Sequence, residues 1–134
     1  MMTHCLVVDD SHVVRKVLCR ILEEFNLDCH EAENGLQAYK YCQEKMPEVV
    51  FLDWNMPMMN GLECVEKLRS IESPYQPVII FCTTENDMSL INKGIKAGAD
   101  EYIMKPFDSK IIHKKLVQTG VISKDLKTGF PHED

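Results

Sequence analysis

Apolar residues along this chain fall into two alternating patterns: short unbroken runs, and longer stretches with helical spacing. Residues 5–8 (CLVV), 49–52 (VVFL) and 78–82 (VIIFC) are unbroken runs rich in β-branched side chains, each closed by polar residues. Runs of that length between turn signals are the mark of strands buried on both faces of a sheet. Residues 26–32 and 100–104 carry the same signal more weakly, and the first of these is expected near a sheet edge. Between the runs, apolar positions recur every three or four residues. Val13, Val14, Val17, Leu18, Ile21, Leu22 and Phe25 trace a first helix, with Arg15, Lys16, Glu23 and Glu24 off its stripe and Ser11 or Asp10 as N-cap. Leu36, Ala38, Tyr39, Cys42 and Met46 trace a second, opened by the Asn34-Gly35 turn and stopped by Pro47. Leu62, Val65, Leu68 and Ile71 trace a third. Met88, Ile91 and Ile95 form the expected inward face of a fourth over residues 87–97, with Gly98 as its C-cap. Ile111, Ile112, Leu116 and Val117 trace a fifth.

Five strands alternating with five helices predict an α/β fold: a doubly wound parallel sheet with right-handed crossovers and helices on both faces. A chain of 134 residues suits one domain. The periodic pattern fills residues 1–119, and 120–134 lose it and are expected to form a loosely structured tail. No apolar run approaches a membrane span and the start has no leader pattern, so the expected location is the cytoplasm. A net charge of −6 weighs against binding nucleic acid or an anionic membrane. The six cysteines contain no C-x-x-C pair and fall mostly at apolar positions, and are read as reduced core residues.

The chemistry gathers at the strand ends. In a parallel sheet, the residues following each strand line one edge of the domain, where ligands bind. The first strand delivers Asp9 and Asp10 to that edge, the third Asp53, the fourth Thr83 and the fifth Lys105. Three neighbouring carboxylates repel one another unless a cation sits among them. Hard oxygen donors without His or Cys favour Mg2+. A lysine and a hydroxyl beside that cation supply charge compensation and a hydrogen bond to an incoming phosphoryl group. The cluster is that of an aspartyl nucleophile with its electrophilic support.

The motifs VVDDS (7–11), DWNMPMMNG (53–61), TTE (83–85) and KPF (105–107) resemble those of response-regulator receiver domains of two-component signalling. The resemblance spans about residues 4–119 and is nearest to stand-alone receivers of the chemotaxis type. It implies a flavodoxin-like (βα)5 fold with strand order 2-1-3-4-5. It implies that Asp53 accepts a phosphoryl group from the phosphohistidine of a sensor histidine kinase or histidine phosphotransfer protein. Asp9, Asp10, Asp53 and the backbone carbonyl of Asn55 would hold Mg2+. Lys105 would pair with the phosphoryl oxygens, next to a cis Lys105-Pro106 bond, and Thr83 would move towards them with Tyr102 as the aromatic switch. Asn55 and Glu85 would flank the path of the attacking water. Thr84 stands where the enteric chemotaxis receiver has alanine. Such a domain is no enzyme beyond its own aspartyl phosphorylation and dephosphorylation. Its output partner is expected on the face of the fourth helix, last strand and fifth helix, where Lys93, Lys96, Lys110, Lys114 and Lys115 concentrate positive charge. The resemblance leaves open a motor-type regulator, a relay intermediate that passes the phosphoryl group on, and a receiver belonging to a longer regulator. Direct DNA binding would need an effector domain, for which residues 120–134 are too few. An FMN protein would need a Ser/Thr/Gly-rich loop after the first strand, where this chain reads DDSHVV. A haloacid-dehalogenase-type phosphatase would need D-x-D there, which is absent.

Overall fold

Side chains alternate between the two faces of a strand, and that parity divides the core in two. The computed structural model describes residues 2–84 and 88–123. Its elements are β1 (Thr3–Val8), α1 (His12–Glu24), β2 (Leu27–Ala32), α2 (Gly35–Glu44), β3 (Val49–Asp53), α3 (Gly61–Arg69), β4 (Val78–Thr83), α4 (Met88–Ala97), β5 (Glu101–Met104) and α5 (Ser109–Gln118). The strands form one parallel sheet in the order β2-β1-β3-β4-β5, as the resemblance implied. On one face Cys5, Val7, Phe51, Ile80 and Ile103 pack with Leu18 and Leu22 of α1 and Ile112 and Leu116 of α5. On the other, Leu6, Val8, Leu52 and Phe81 pack with Ala38 and Cys42 of α2 and Val65 and Leu68 of α3. Because α4 presents Gly94 to the sheet, the Phe81 ring can press against its backbone, where any Cβ would collide.

Several helix faces are turned from the expected ones. In α1, Val13 and Val17 are 70% and 45% exposed, while Arg15 is buried. Arg15 takes the inward place because it finds polar partners there: its NH1 donates to the Asp9 carbonyl at 2.7 Å and its Nε to Glu31 Oε1 at 2.9 Å. A guanidinium whose donors are paired can be buried without leaving an uncompensated charge. In α4 only Ile91 and Gly94 are buried, and Met88 and Ile95, expected inward, face solvent. Leu36 and Ile111 also lie on exposed sides of their helices.

Two further expectations change. Cys19 of α1 and Cys29 of β2 are joined as a disulfide, their Cα atoms 5.7 Å apart, so the reading of every cysteine as a reduced core residue does not hold. Linear spacing carried no sign of this pairing, which arises from the way α1 lies over β2. Cys5, Cys42, Cys64 and Cys82 are free and buried as expected, and burial pushes each thiol up to about 12. Packing also runs past residue 119. Val121 N donates to Leu116 O at 2.9 Å, and Ile122 is buried in the α1–α5 side of the core. The rest of the expected tail (124–134), Glu85 and Asp87 lie outside the described residues.

At the opposite end of the sheet, His4 is a buried histidine whose Nε2 meets the Tyr41 hydroxyl, with the His30 ring edge-on at 4.8 Å. Burial, then the neighbouring His30 and Lys45, lower its pKa from 6.5, against the opposing pull of Glu48 and Asp28. As pH falls below 6.5 the unfolded chain takes up this proton before the folded one does, so the fold loses stability on the acid side. One such proton changes stability by at most about 1.4 kcal/mol per pH unit. Urea unfolding midpoints are expected to drop between pH 7.5 and pH 5, and His4→Gln should flatten that slope. An equal slope in the variant would assign the effect to other groups.

Candidate functional site

Each site residue owes its position to a strand end and the turn that follows. β1 delivers Asp9, 3% exposed, and then Asp10, which is open to solvent. β3 ends on Asp53, 6% exposed, and β4 on Thr83, 4% exposed. Lys105 follows β5, and its backbone N donates to the Thr83 carbonyl at 2.8 Å, so it lies directly beside the end of β4. The Lys105-Pro106 bond is cis, as the resemblance implied. Asp9 Oδ1 accepts from the backbone N of Ser11 at 2.8 Å, and Ser11 caps α1 through Val14 N. This hydrogen bond orients the carboxylate at the start of the helix, where negative charge is favoured. After Asp53 the chain must turn sharply into α3. Gly61 permits it, because a Cβ there would meet Phe81, Trp54 and the Asp53 carbonyl. Asn60 and Glu63 close the turn with a capping box.

Four of the residues singled out from the sequence come together: Asp9, Asp10, Asp53 and Lys105. Carboxylate oxygens of Asp9, Asp10 and Asp53 lie within 4.8 Å of one another. Lys105 Nζ bridges two of them, at 3.0 Å from Asp9 Oδ2 and 2.9 Å from Asp53 Oδ1. Burial raises the Asp53 pKa, and Asp9 and Asp10 add to the rise, against the lowering effect of the Lys105 hydrogen bond. Burial alone would lower the Lys105 pKa, but hydrogen bonds to Asp53 and Asp9 outweigh it and the net shift is upward. Lys105 therefore stays an ammonium. One ammonium facing three carboxylates leaves a surplus of negative charge around a set of hard oxygen donors. That set fits a divalent cation of the Mg2+ type, with Asp10 on its open side.

Thr83 and Tyr102 line a common cavity of about 10 Å3 with Trp54, Phe81, Leu90 and Ile91. Tyr102 is half-buried, and the Lys115 ammonium lies 5.5 Å from its ring centroid and 3.3 Å from Glu101 Oε1. Lys115, expected as one of a group of surface cations, is thus already engaged with the two preceding strand residues. Asn55 is exposed in the loop after β3.

Two features of the site were not legible. Arg15 holds the Asp9 carbonyl from behind, with Glu31 as a counter-charge shared with Lys16 Nζ at 2.7 Å. The only hint was an arginine one place from an apolar stripe, which ordinarily means a solvated face. An apolar groove of about 300 Å3 also borders the site, formed by Val13, Val14, Val17, Pro106 and Phe107 with Lys105 at its edge.

Known proteins are similar to this chain in sequence and in fold. A family model described as the response regulator receiver domain matches residues 5–117. Chemotaxis protein CheY1 of Helicobacter pylori (strain ATCC 700392 / 26695) is 38% identical over 113 residues, covering 83% of this chain and 91% of that protein. Among solved structures, the chemotaxis response regulator CheY4 of Vibrio cholerae superposes with a TM-score of 0.83 at 29% identity, over 88% of this chain and 98% of that one. The receiver domain of the sensor histidine kinase PA1611 of Pseudomonas aeruginosa has the same fold, with a TM-score of 0.80 at 20% identity over 88% of this chain and 97% of its own. That domain carries a magnesium ion coordinated in its active site cleft.

Proposed function

The chain belongs to the response regulator receiver domain family, and on that premise we propose that Asp53 is its phosphoacceptor. The observation that carries this reading is the Lys105 ammonium shared between Asp53 and Asp9 at the open end of a parallel sheet. The donor is the phosphohistidine of a sensor histidine kinase or histidine phosphotransfer protein. One Asp53 oxygen attacks phosphorus, a P–O bond forms, the P–N bond breaks, and the imidazole leaves with the electron pair. Asp9, Asp10, Asp53 and the Asn55 carbonyl would hold Mg2+, which supplies charge neutralisation for the carboxylates and the phosphoryl oxygens. Lys105, already on Asp53, keeps its ammonium against a phosphoryl oxygen in the product. The donor reaches Asp53 past the apolar groove of α1 and Phe107, which borders Lys105 and is open to an apolar helix face.

Phosphorylation adds roughly −1.5 to −2 charges at this edge. The Thr83 hydroxyl is drawn towards the new oxygens, and the space it vacates adjoins the cavity it shares with Tyr102. Tyr102 turns into that space and gives up its contact with Lys115. The surface altered is that of α4, β5 and α5, where Met88, Ile95, Lys93, Lys96 and Lys114 are exposed. A partner protein with an amphipathic, acidic segment suits this face. Among the described residues no helix is long and apolar enough to cross a membrane. We place the domain in the cytoplasm, acting through protein contacts and not on DNA.

Incubation with acetyl phosphate and Mg2+, read by intact-mass spectrometry, is expected to add one phosphate, and a chelator should prevent it. Labelling that ignores Mg2+, or none under any condition, would remove the proposal. The phosphoryl group is expected to be short-lived, since Asn55 is small, polar and exposed beside the acceptor. Asn55→Leu should prolong it several-fold by hindering water, and an unchanged decay would locate the control of access elsewhere.

A further inference from the structure

Two of the links between α1 and β2 are arranged as rungs. Arg15 and Cys19 are one helical turn apart on α1, and their partners Glu31 and Cys29 are two residues apart on β2, so both rungs span the same gap. The first rung is ionic and continues to the site, because Arg15 also donates to the Asp9 carbonyl. The second is the sulfur pair. A cleft of about 270 Å3 opens onto it, lined by Lys16, Cys19, Arg20, Glu23, Cys29 and Glu31, with Cys29 half-buried and Cys19 7% exposed. The other four cysteines are 3% exposed or less. A cytoplasmic disulfide is ordinarily transient and redox-sensing.

We propose that Cys19 and Cys29 are a reversible thiol–disulfide site for small disulfides of the glutathione class, and that closing it holds α1 against β2 and so steadies Asp9. The Cys29 thiolate attacks glutathione disulfide, one glutathione thiolate leaves, and a mixed disulfide forms. The Cys19 thiolate then attacks the Cys29 sulfur, the second glutathione leaves, and the protein disulfide closes. Two thiol protons and two electrons leave the protein, and the glutathione disulfide is reduced to two thiols. The link to Asp9 rests on the phosphoacceptor reading only for its biological meaning. The site itself does not depend on it.

The test uses the full chain, equilibrated in glutathione buffers from reducing to oxidising, then denatured and alkylated for mass spectrometry. All six cysteines should be alkylated at the reducing end and four at the oxidising end, with peptide mapping joining Cys19 to Cys29. In Cys29→Ser the number alkylated should not fall by a pair. Six reactive thiols throughout, or loss at other cysteines, would overturn the site. Oxidation should raise the melting temperature of the wild type by roughly 5–10 °C. It should also tighten Mg2+ binding, measured by calorimetry, by roughly two- to fivefold through preorganisation. Neither change should occur in Cys29→Ser. Equal Mg2+ affinity of the two redox forms would overturn the coupling to Asp9. A chain that binds Mg2+ more tightly when oxidised yet is never phosphorylated would refute the phosphoacceptor reading and leave this one standing.

Discussion

Asp53→Asn is expected to reduce labelling by acetyl phosphate to background and, at the same pH, to make the metal-free fold more stable. The first effect follows from removing the attacking oxygen, since an amide oxygen is no nucleophile towards phosphorus under these conditions. The second follows from the electrostatics. Burial and the neighbouring Asp9 and Asp10 raise the pKa of Asp53 above 3.8 despite Lys105. A raised carboxylate pKa means that the folded state favours the protonated form. Its stabilising contribution is complete below 3.8 and is lost as pH rises through the folded-state value. At neutral pH the wild type has lost it, whereas asparagine stays neutral. Lys105 retains Asp9 at 3.0 Å and is not left unpaired. The melting temperature should therefore rise by a few degrees at pH 7.5, and the gain should shrink on acidification. A variant that is labelled like wild type would refute the acceptor assignment. One that melts lower would show that the Lys105 contact outweighs carboxylate repulsion.

Arg69→Ala is expected to be the most damaging single truncation outside the apolar core, costing about 2–4 kcal/mol of stability. Arg69 ends α3, and its fork donates to the Gly98 carbonyl from Nε at 2.9 Å and from NH2 at 2.7 Å, and from NH1 to the Pro77 carbonyl at 2.7 Å. NH2 also meets Asp100 Oδ2 at 2.9 Å, and that oxygen accepts from Ile79 N at 2.8 Å. One side chain thus ties the end of α3 to the turns that launch β4 and β5, the strands that carry Thr83 and Lys105. The charge pair itself is worth little, since the Asp100 side chain is 45% exposed. The carbonyls left without donors dominate the cost. Arg69→Lys should recover little, because an ammonium cannot span that fork. Asp100→Asn, which keeps an acceptor for Ile79 N, should cost less than about 1 kcal/mol. Denaturant unfolding measures all three, and an Arg69→Ala loss below about 0.5 kcal/mol would show that water replaces the fork.

The residues that the strands deliver to the site were readable because strand ends need no tertiary information. An apolar run closed by Asp53 or Thr83 predicts its own direction, and parallel pairing then brings all such ends to one edge. Helix faces were less readable. The stripe predicted for the first helix contains seven apolar positions, six of them within α1, and only tertiary packing decides that Val13 and Val17 stay outside. In α4 the close approach of Phe81 to Gly94 sets the helix rotation and leaves Met88 and Ile95 in solvent. Hydrophobicity along the chain cannot register that, since it is a contact between a ring and a distant backbone.

Local sequence by itself determined the element order, the parallel sheet, and the set Asp9, Asp10, Asp53, Thr83 and Lys105, because periodicity and strand termini act over a few residues. Tertiary structure decided the partners. Lys105 reaches Asp53 across 52 positions of chain, Arg69 reaches Gly98 across 29, and Cys19 meets Cys29 only where α1 crosses β2. Hydrogen bonds and sulfur bridges form within a few ångströms in space whatever the separation along the chain. Their pairing becomes visible only once the sheet order brings those segments side by side.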